Sequence, residues 1–144
     1  MEGIELDSSH PARRAAIASI SAVEAGDREG WLALFAPDAQ VADPVGPSPF
    51  DPEGTGHRGI DAIGAFYDSV IATPQIRFSI RESYAAGMSC ANVGTITSTF
   101  ADGSAAVVDG VYVYEVTDDG LISSLRAYWE LDNLRMVATS SAVD

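Results

Sequence analysis

The sequence predicts an α+β protein in which helices come first and an antiparallel sheet follows. Apolar residues recur at helical spacing between residues 11 and 35 and again between residues 60 and 71. After residue 75 the pattern changes to strand-like runs that are separated by short turns. Helices that precede the strands, rather than alternate with them, favour the α+β class.

Composition indicates one folded domain with an acidic surface. Of the 144 residues, 47% are hydrophobic and 20% are charged, so we expect a single domain over residues 1–144 with flexible ends at residues 1–8 and 139–144. The net charge is −13, and all eight basic residues are arginine. Such a surface disfavours nucleic acid and anionic lipid as partners, and the lack of lysine excludes a lysine Schiff base.

Few residues could support metal or disulfide chemistry. Cys90 is the only cysteine, which excludes an internal disulfide and thiolate metal clusters. His10 is predicted at a helix cap and His57 in an exposed loop, so we expect no metal site. Residues 1–7 lack the features of a secretory signal, and no apolar run reaches the roughly 20 residues that a membrane span needs. We therefore expect a cytoplasmic protein without a membrane partner.

Start and stop signals delimit three helices. A pair of serines precedes Pro11, and Gly26 ends the first apolar run. Asp27 is suited to cap a short second helix that stops before Pro37. The third helix is predicted at residues 60–71, where the helical period returns.

The strands follow from apolar runs and turn residues. A short strand at residues 39–42 precedes a loop at residues 44–59 that contains four prolines and four glycines. Turns with the sequences Ala-Asp-Gly and Asp-Asp-Gly indicate that the last three strands form an antiparallel meander. The later strands are predicted at residues 75–84, 88–100, 104–116 and 121–131.

Several short motifs occur in an order that resembles the ketosteroid isomerases. They are AGD at 25–27, LFAPDA at 34–39, DPVG at 43–46, AFY at 65–67, GLI at 120–122 and AYW at 127–129. The ordered set is similar to the wider SnoaL-like and nuclear transport factor 2-like superfamily, and within it to an actinobacterial, mycobacterial-type branch. Over residues 18–134 the resemblance implies a cone-shaped curved sheet wrapped around the helices, with one deep apolar pocket for a planar, steroid-like ligand and no cofactor.

The resemblance gives Asp43 the role of general base. In the isomerases this residue removes a proton beside a steroid carbonyl and returns it two carbons away. Burial without a counter-charge raises the pKa of a carboxyl group and strengthens it as a base, and ketosteroid isomerases are themselves an established case of such tuning. The alternative is that Asp43 only starts an Asx-type turn before Pro44.

The donors that the family directs at the enolate oxygen are replaced in this sequence. The family's tyrosine of the first helix falls on Ser19, which is expected to contact the ligand, and its protonated aspartate falls on Tyr112. A phenol is a competent donor, and alternation puts Tyr112 on one strand face with Gly110 and Tyr114. The alternative is a core tyrosine. Asp109 falls on the opposite face.

Other contacts to the ligand are implied by the same resemblance. Trp129 matches a pocket-lining tryptophan and shares its strand face with Leu125 and Ala127. Phe66 and Tyr67 of the third helix are also expected at the pocket. Packing in the core is the alternative role for Tyr67 and Trp129.

Three functions follow, together with one prediction about assembly. The first is isomerisation of a steroid-like ketone by Asp43 and Tyr112, and the second is a binding module for steroid-like or polyketide-like lipids, because the usual donors are replaced. The third pairs Asp43 with Asp68 to open an epoxide, as in the similar polyether epoxide hydrolase-cyclases. The resemblance also implies a homodimer through the outer sheet face, which would carry Val107, Val111 and Val113.

Overall fold

The computed structural model describes residues 1–138 and confirms the predicted α+β class. Within these residues an eight-stranded, curved sheet surrounds three α-helices. None of the helices in this part of the chain is long and apolar enough to cross a membrane.

The helices begin and end close to the predicted signals. Gly26 ends the first helix in the left-handed conformation, with φ 69°. The cap at its start is His10 rather than a serine, because Nδ1 of His10 accepts the backbone N–H of Ala12 at 3.1 Å. Asp27 caps the second helix by accepting the N–H of Gly30 at 2.9 Å. The helices are α1 (Pro11–Ala25), α2 (Arg28–Leu32) and α3 (Ile60–Phe66), and a π-helical turn at Tyr67–Ile71 follows α3.

The sheet has a long antiparallel meander to which shorter strands are added. The strands are β1 (Glu2–Gly3), β2 (Phe35–Ala42), β3 (His57–Arg58), β4 (Gln75–Ala86), β5 (Ser89–Thr99), β6 (Ser104–Val116), β7 (Ile122–Tyr128) and β8 (Arg135–Ala138). Their order is β1-β4-β5-β6-β7-β2-β3. Strand β8 pairs with residues 104–107, the first four residues of β6. The meander β5–β6–β7 confirms the prediction from the turns. Strand β2 joins β7 in parallel.

Residues 2–3 pair with β4, and the flexible end predicted at residues 1–8 stays a prediction. Three details of the prediction are wrong. The strand predicted at residues 39–42 begins earlier, at Phe35. The expected loop at 44–59 ends in strand β3, and β8 was not predicted. The flexible end predicted at 139–144 lies outside the described residues.

Two paired glycines lie where the sheet bends. Gly94 of β5 and Gly110 of β6 are register partners, and a Cβ on Gly94 would lie 2.3 Å from the carbonyl oxygen of Ser79. Beside them, β4 has a register shift between Ile80 and Glu82. Such bulges, together with strand glycines, increase the local twist and curvature of a sheet. The sheet can therefore wrap around the helices.

The main core lies between the helices and the concave face of the sheet. Its largest fully buried side chain is Trp31 of α2, which is 1% exposed. The ring centroid of Trp31 lies 4.7 Å from that of Phe35 and 5.5 Å from that of Tyr67. This packing orients α2 and α3 relative to the start of β2.

Candidate active site

A cavity of about 280 Å³ lies between the concave face of the sheet and the helices. Its volume is close to the lower end of the range for small-molecule sites, about 300 to 1,000 Å³. Of the described residues that line it, Asp43 alone has a charged side chain. The apolar lining includes Phe78, Ile96, Phe100, Val108, Leu125 and Leu134.

Asp43 directly follows β2 and faces this cavity. The residue as a whole is half-buried, and its carboxylate accepts a hydrogen bond of 2.6 Å from Nε1 of Trp129. Burial raises the pKa of Asp43, while the Trp129 hydrogen bond and, to a smaller extent, the electrostatic interaction with His57 act in the opposite direction. The backbone N–H of Val45 donates to the carbonyl of Ala127 at 2.9 Å, which fixes the segment after Asp43 to β7.

Two tyrosines of β6 also line the cavity. Tyr112 and Tyr114 are each 3% exposed. Burial raises the pKa of both phenols, and the negative charge of Asp43 raises each pKa further. Both phenols therefore keep their protons at neutral pH and can donate hydrogen bonds. The Tyr112 hydroxyl donates to the carbonyl of Val108 over a long distance, 3.4 Å.

A third polar group at the cavity is Ser19 of α1, which is 2% exposed. Its Oγ accepts a hydrogen bond of 3.0 Å from Nε1 of Trp31. The Ser19 side chain also lowers the pKa of the Tyr114 phenol, against the larger effect of burial. The cavity thus combines one carboxylate with a small number of neutral hydrogen-bonding groups.

A family model described as a SnoaL-like domain matches residues 16–125. The chain belongs to the SnoaL-like family. Solved structures similar to this SnoaL-like chain include RV0760c from Mycobacterium tuberculosis, in complex with estradiol-17β-hemisuccinate, which is 38% identical with a TM-score of 0.84. That match covers 88% of this chain and 99% of the other.

Two further structures resemble the SnoaL-like chain over a similar length. The Δ5-3-ketosteroid isomerase from Mycobacterium sp. is 39% identical with a TM-score of 0.85, covering 89% of this chain and 99% of that one. A computationally designed 17-OHP binder is 36% identical with a TM-score of 0.86, covering 90% and 100%. These similarities confirm the resemblance to ketosteroid isomerase-like proteins of the mycobacterial type.

The other predicted contact residues of the SnoaL-like domain divide into two groups. Phe66, Leu125, Ala127 and Trp129 line the cavity. Tyr67 is not among the residues that line the cavity and has the alternative role, packing in the core. It lies in the core, 3% exposed, because the first residue of the π-helical turn faces the α2 indole.

Asp68 of the SnoaL-like domain lies outside the cavity, so its prediction as a second catalytic acid is wrong. Its carboxylate accepts hydrogen bonds of 2.8 and 3.1 Å from Nε and Nη2 of Arg28. The side chain is 57% exposed. An ion pair between α2 and the turn after α3 therefore directs this carboxylate away from Asp43, and the epoxide hypothesis loses its second acid.

His57 is not the exposed loop residue that the sequence predicted. Its ring is half-buried, with its centroid 4.8 Å from that of Phe66, and Nε2 is buried without a hydrogen-bond partner among residues 1–138. Strand β3 causes this burial by pairing His57 with Val41 of β2. No group of three or more potential metal ligands occurs in this part of the SnoaL-like chain.

Sequence reasoning did not assign most of the residues that line the cavity, among them Trp31, Phe50 and Tyr114. For Tyr114 the signal was present, because strand alternation already placed it on one face with Tyr112. Phe50 lies in the loop between β2 and β3 and gave no periodic signal. Asp109 lies on the outer face as predicted, where Oδ2 accepts a hydrogen bond of 3.0 Å from Nη1 of Arg135.

Proposed function

We propose that this protein is a cofactor-independent isomerase that moves a double bond into conjugation with the carbonyl of a steroid-like ketone. The observation that carries the proposal is the Asp43 carboxylate, the one charged group among the described residues on an apolar cavity lining. Burial raises the pKa of this group, which brings its proton affinity closer to that needed of a base at neutral pH. The 39% identity to a Δ5-3-ketosteroid isomerase supports the same reaction.

In the proposed reaction Asp43 transfers one proton within the substrate. The carboxylate removes a proton from the carbon between the carbonyl and the double bond, and the electron pair moves toward the carbonyl oxygen to give a dienolate. The resulting carboxylic acid then returns the proton two carbons further along, which restores the ketone in conjugation with the new double bond. Atoms and charge balance without a cofactor or an external oxidant.

Tyr112 is the proposed donor to the dienolate oxygen. Its phenol lines the cavity and stays protonated at neutral pH because its pKa is raised. The present bond from Tyr112 to the Val108 carbonyl is long, 3.4 Å, so little hydrogen-bond energy is lost when the hydroxyl turns toward a substrate oxygen.

The test is isomerisation of a Δ5-3-ketosteroid, followed by the absorbance of the conjugated product. Asp43→Asn is expected to lower kcat by about 10²- to 10⁴-fold, the usual range for loss of a general base. Asp68→Asn is the matched control, because it removes a carboxylate outside the cavity and is expected to leave the rate unchanged. Equal rates for the wild type and Asp43→Asn would contradict the proposal.

A second candidate is a binding module for steroid-like lipids that lacks turnover. Two observations favour it: similar structures include a complex with estradiol-17β-hemisuccinate and a designed 17-OHP binder, and Ser19 stands where a tyrosine donor is expected. Micromolar binding of a steroid without turnover of any ketosteroid would support this function over isomerisation. Failure to bind any planar steroid would contradict both candidates.

We also propose that the protein forms a homodimer through the outer face of the sheet. Alternation along β6 supports this, since Ala106, Val108, Tyr112 and Tyr114 face the cavity and three half-buried valines at alternate positions face outward. These are Val107, Val111 and Val113. Sedimentation at micromolar concentration tests the proposal, and a monomer would contradict it.

A further inference from the structure

A second cavity, of about 500 Å³, lies on the outer face of the sheet and is called the outer cavity below. Val93 and Val111 contribute to its apolar part, and these two residues are register partners on β5 and β6. Trp129 lines the outer cavity as well as the cavity that Asp43 faces. The side chain that donates a hydrogen bond to Asp43 can therefore also be contacted from the opposite side of the sheet.

Arg81 of β4 lines the outer cavity with most of its hydrogen-bond donors unused. Its Nη1 donates to Oγ1 of Thr95 at 2.7 Å and lies 3.9 Å from Oδ1 of Asp109. The Asp109 carboxylate already accepts hydrogen bonds from Thr95 and Arg135. Among residues 1–138, Nε and Nη2 of Arg81 have no acceptor. These two groups form a fork that can bind both oxygens of a carboxylate.

Glu130 lines the same cavity and has a matching carboxylate. The residue is exposed, and its backbone carbonyl accepts the N–H of Asn133, but its carboxylate has no hydrogen bond or ion pair within the described part of the chain. Elsewhere in this protein Arg28 uses Nε and Nη2 to bind both oxygens of Asp68. The free fork of Arg81 and the free carboxylate of Glu130 are therefore complementary groups that do not bind each other within one chain.

A twofold axis through the outer cavity would bring these two groups together. In a twofold-symmetric interface, a contact from one residue to a second residue of the other subunit is repeated in the reverse direction. Arg81 would then face Glu130 of the partner subunit, and its own Glu130 would face the partner's Arg81. The valines between these charges match the usual arrangement of an interface, in which an apolar core lies within a polar rim.

We propose that a second copy of this chain completes the outer cavity, through two symmetry-related ion pairs between Arg81 and Glu130 of the partner subunit. This inference rests on the homodimer proposed above and does not depend on the isomerase activity. A net charge of −13 makes two copies repel each other, so opposite charges that meet at the contact favour their association. The partner also covers the outer side of Trp129, so dimerisation supports the indole that binds Asp43.

Charge reversal tests the ion pairs by sedimentation velocity. Arg81→Glu and Glu130→Arg are each expected to raise the dimer Kd by about 10²-fold or more, because each places two pairs of like charges in the interface. The double variant with both substitutions restores opposite charges and is expected to dimerise like the wild type. Arg58→Glu on β3 is the control, because it changes the net charge as Arg81→Glu does but lies outside the outer cavity. It is expected to leave the dimer intact.

The outcomes distinguish the ion pairs from the homodimer itself. If the wild type is a dimer and the single variants also stay dimeric, the ion pairs are wrong and the homodimer still stands. A double variant that stays monomeric would overturn the pairing in the same way. A monomeric wild type would contradict both proposals. The side chain of Arg81 is 51% exposed, so its replacement is expected to leave the fold intact, which circular dichroism checks.

The indole N–H signal of Trp129 tests the link to the active site without turnover. The chain has two tryptophans, so nitrogen–proton NMR spectra contain two indole signals, and Trp129→Phe assigns them. At a concentration where the wild type is dimeric and Arg81→Glu is monomeric, the Trp129 signal is expected to shift in Arg81→Glu and to return in the double variant. Trp31 is only 1% exposed, and its signal should stay in place. A Trp129 signal that does not move in the monomer would overturn the link between the interface and Asp43.

Discussion

The indole N–H of Trp129 donates a 2.6 Å hydrogen bond to Oδ1 of Asp43. The two residues are 86 positions apart in the sequence, and the parallel pairing of β2 with β7 brings them together. The bond favours the ionised carboxylate and so lowers the pKa of Asp43, while burial raises it by more. Trp129 is therefore expected to control the basicity of Asp43 in addition to lining the cavity.

Trp129→Phe is expected to move the acidic limb of the pH profile to higher pH. The variant keeps an aromatic ring but loses the donor, so the pKa of Asp43 rises further above its usual value. A base with a higher pKa is ionised only at higher pH, so kcat/KM falls first on the acidic side. The measurement is kcat/KM for a Δ5-3-ketosteroid as a function of pH.

Tyr128→Phe is the control for this experiment. Tyr128 is the neighbouring residue, is 44% exposed, and its hydroxyl accepts a hydrogen bond from Arg126. Its loss is expected to leave both the rate and the acidic limb unchanged. An acidic limb that stays in place in Trp129→Phe would show that the indole does not act on the ionisation of Asp43.

Asp43→Asn is expected to raise the free energy of unfolding at pH 7. Burial raises the pKa of Asp43 in the folded state, so the folded protein holds this proton more tightly than the unfolded chain. The stabilising effect of that proton is complete below the unfolded pKa, about 3.9, and is lost as pH rises through the folded pKa. At neutral pH the fold therefore contains an unfavourable buried charge that asparagine lacks.

Thermal unfolding of the wild type and Asp43→Asn at several pH values measures this effect. The difference in Tm should be largest near neutral pH and should disappear where aspartate is protonated in both states. Asp68→Asn is the control, because exposed ion pairs are worth only about 0 to 1 kcal/mol. A lower Tm for Asp43→Asn at pH 7 would contradict the expected sign.

Gly110→Ala is expected to destabilise the fold and to disturb the contact between Trp129 and Asp43. A Cβ at residue 110 would lie 2.6 Å from the carbonyl oxygen of Tyr128 and 3.0 Å from Cβ of Trp129. The chain at residues 128–129 must move away, at a cost of about 1 to 3 kcal/mol, as for other overpacked sites. Urea denaturation measures the stability, and the pH profile reports the loss of the indole contact.

Gly64→Ala in α3 is the matched substitution. The closest atom to a Cβ there, at 2.8 Å, is Nη2 of Arg28, the end of a flexible side chain that can shift. Alanine also favours helix over glycine by about 1 kcal/mol. This variant is expected to be as stable as the wild type or more stable. Equal losses of unfolding free energy in both variants would show that the close contact at residue 110 is not the cause of the destabilisation.

Phe50→Ala is expected to weaken ligand binding more than it slows turnover. Phe50 is 39% exposed but also lines the cavity, on a loop that hydrogen bonds between Ser48 and Asp51 hold together. Loss of a partly exposed phenyl contact corresponds to about 1 kcal/mol, or about a fivefold increase in KM. Tyr84→Ala, at a residue 62% exposed on β4, is the control and should leave KM unchanged.

Long periodic segments could be predicted from the sequence, and the shortest strands could not. Helix α1 and strands β4 to β7 contain enough residues to show a helical or alternating period. Strands β1 and β3 have two residues each and β8 has four, which is too few for a period. Their pairing is determined by tertiary contacts such as the partnership of Val41 with His57.

The same distinction holds for the site. The position of Asp43 at the end of a strand could be inferred from the sequence and from the resemblance, and so could the shared face of Tyr112 and Tyr114. The direction in which the Asp68 side chain points could not be inferred, because it depends on an ion pair with Arg28, 40 positions away in the sequence. Only the packing of α2 against α3 determines which side of α3 and of the π-helical turn after it faces the cavity.

The parallel pairing of β2 with β7 also has a consequence for the order of folding. Strands β4 to β6 can form from local hairpins, but β2 and β7 lie more than 80 residues apart, from Phe35 with Ile122 to Ala42 with Arg126. Closing such a long loop is entropically costly, and non-local contacts slow folding. We therefore expect ligand binding to be among the last properties that the refolding chain acquires, after most of its β-sheet signal has returned.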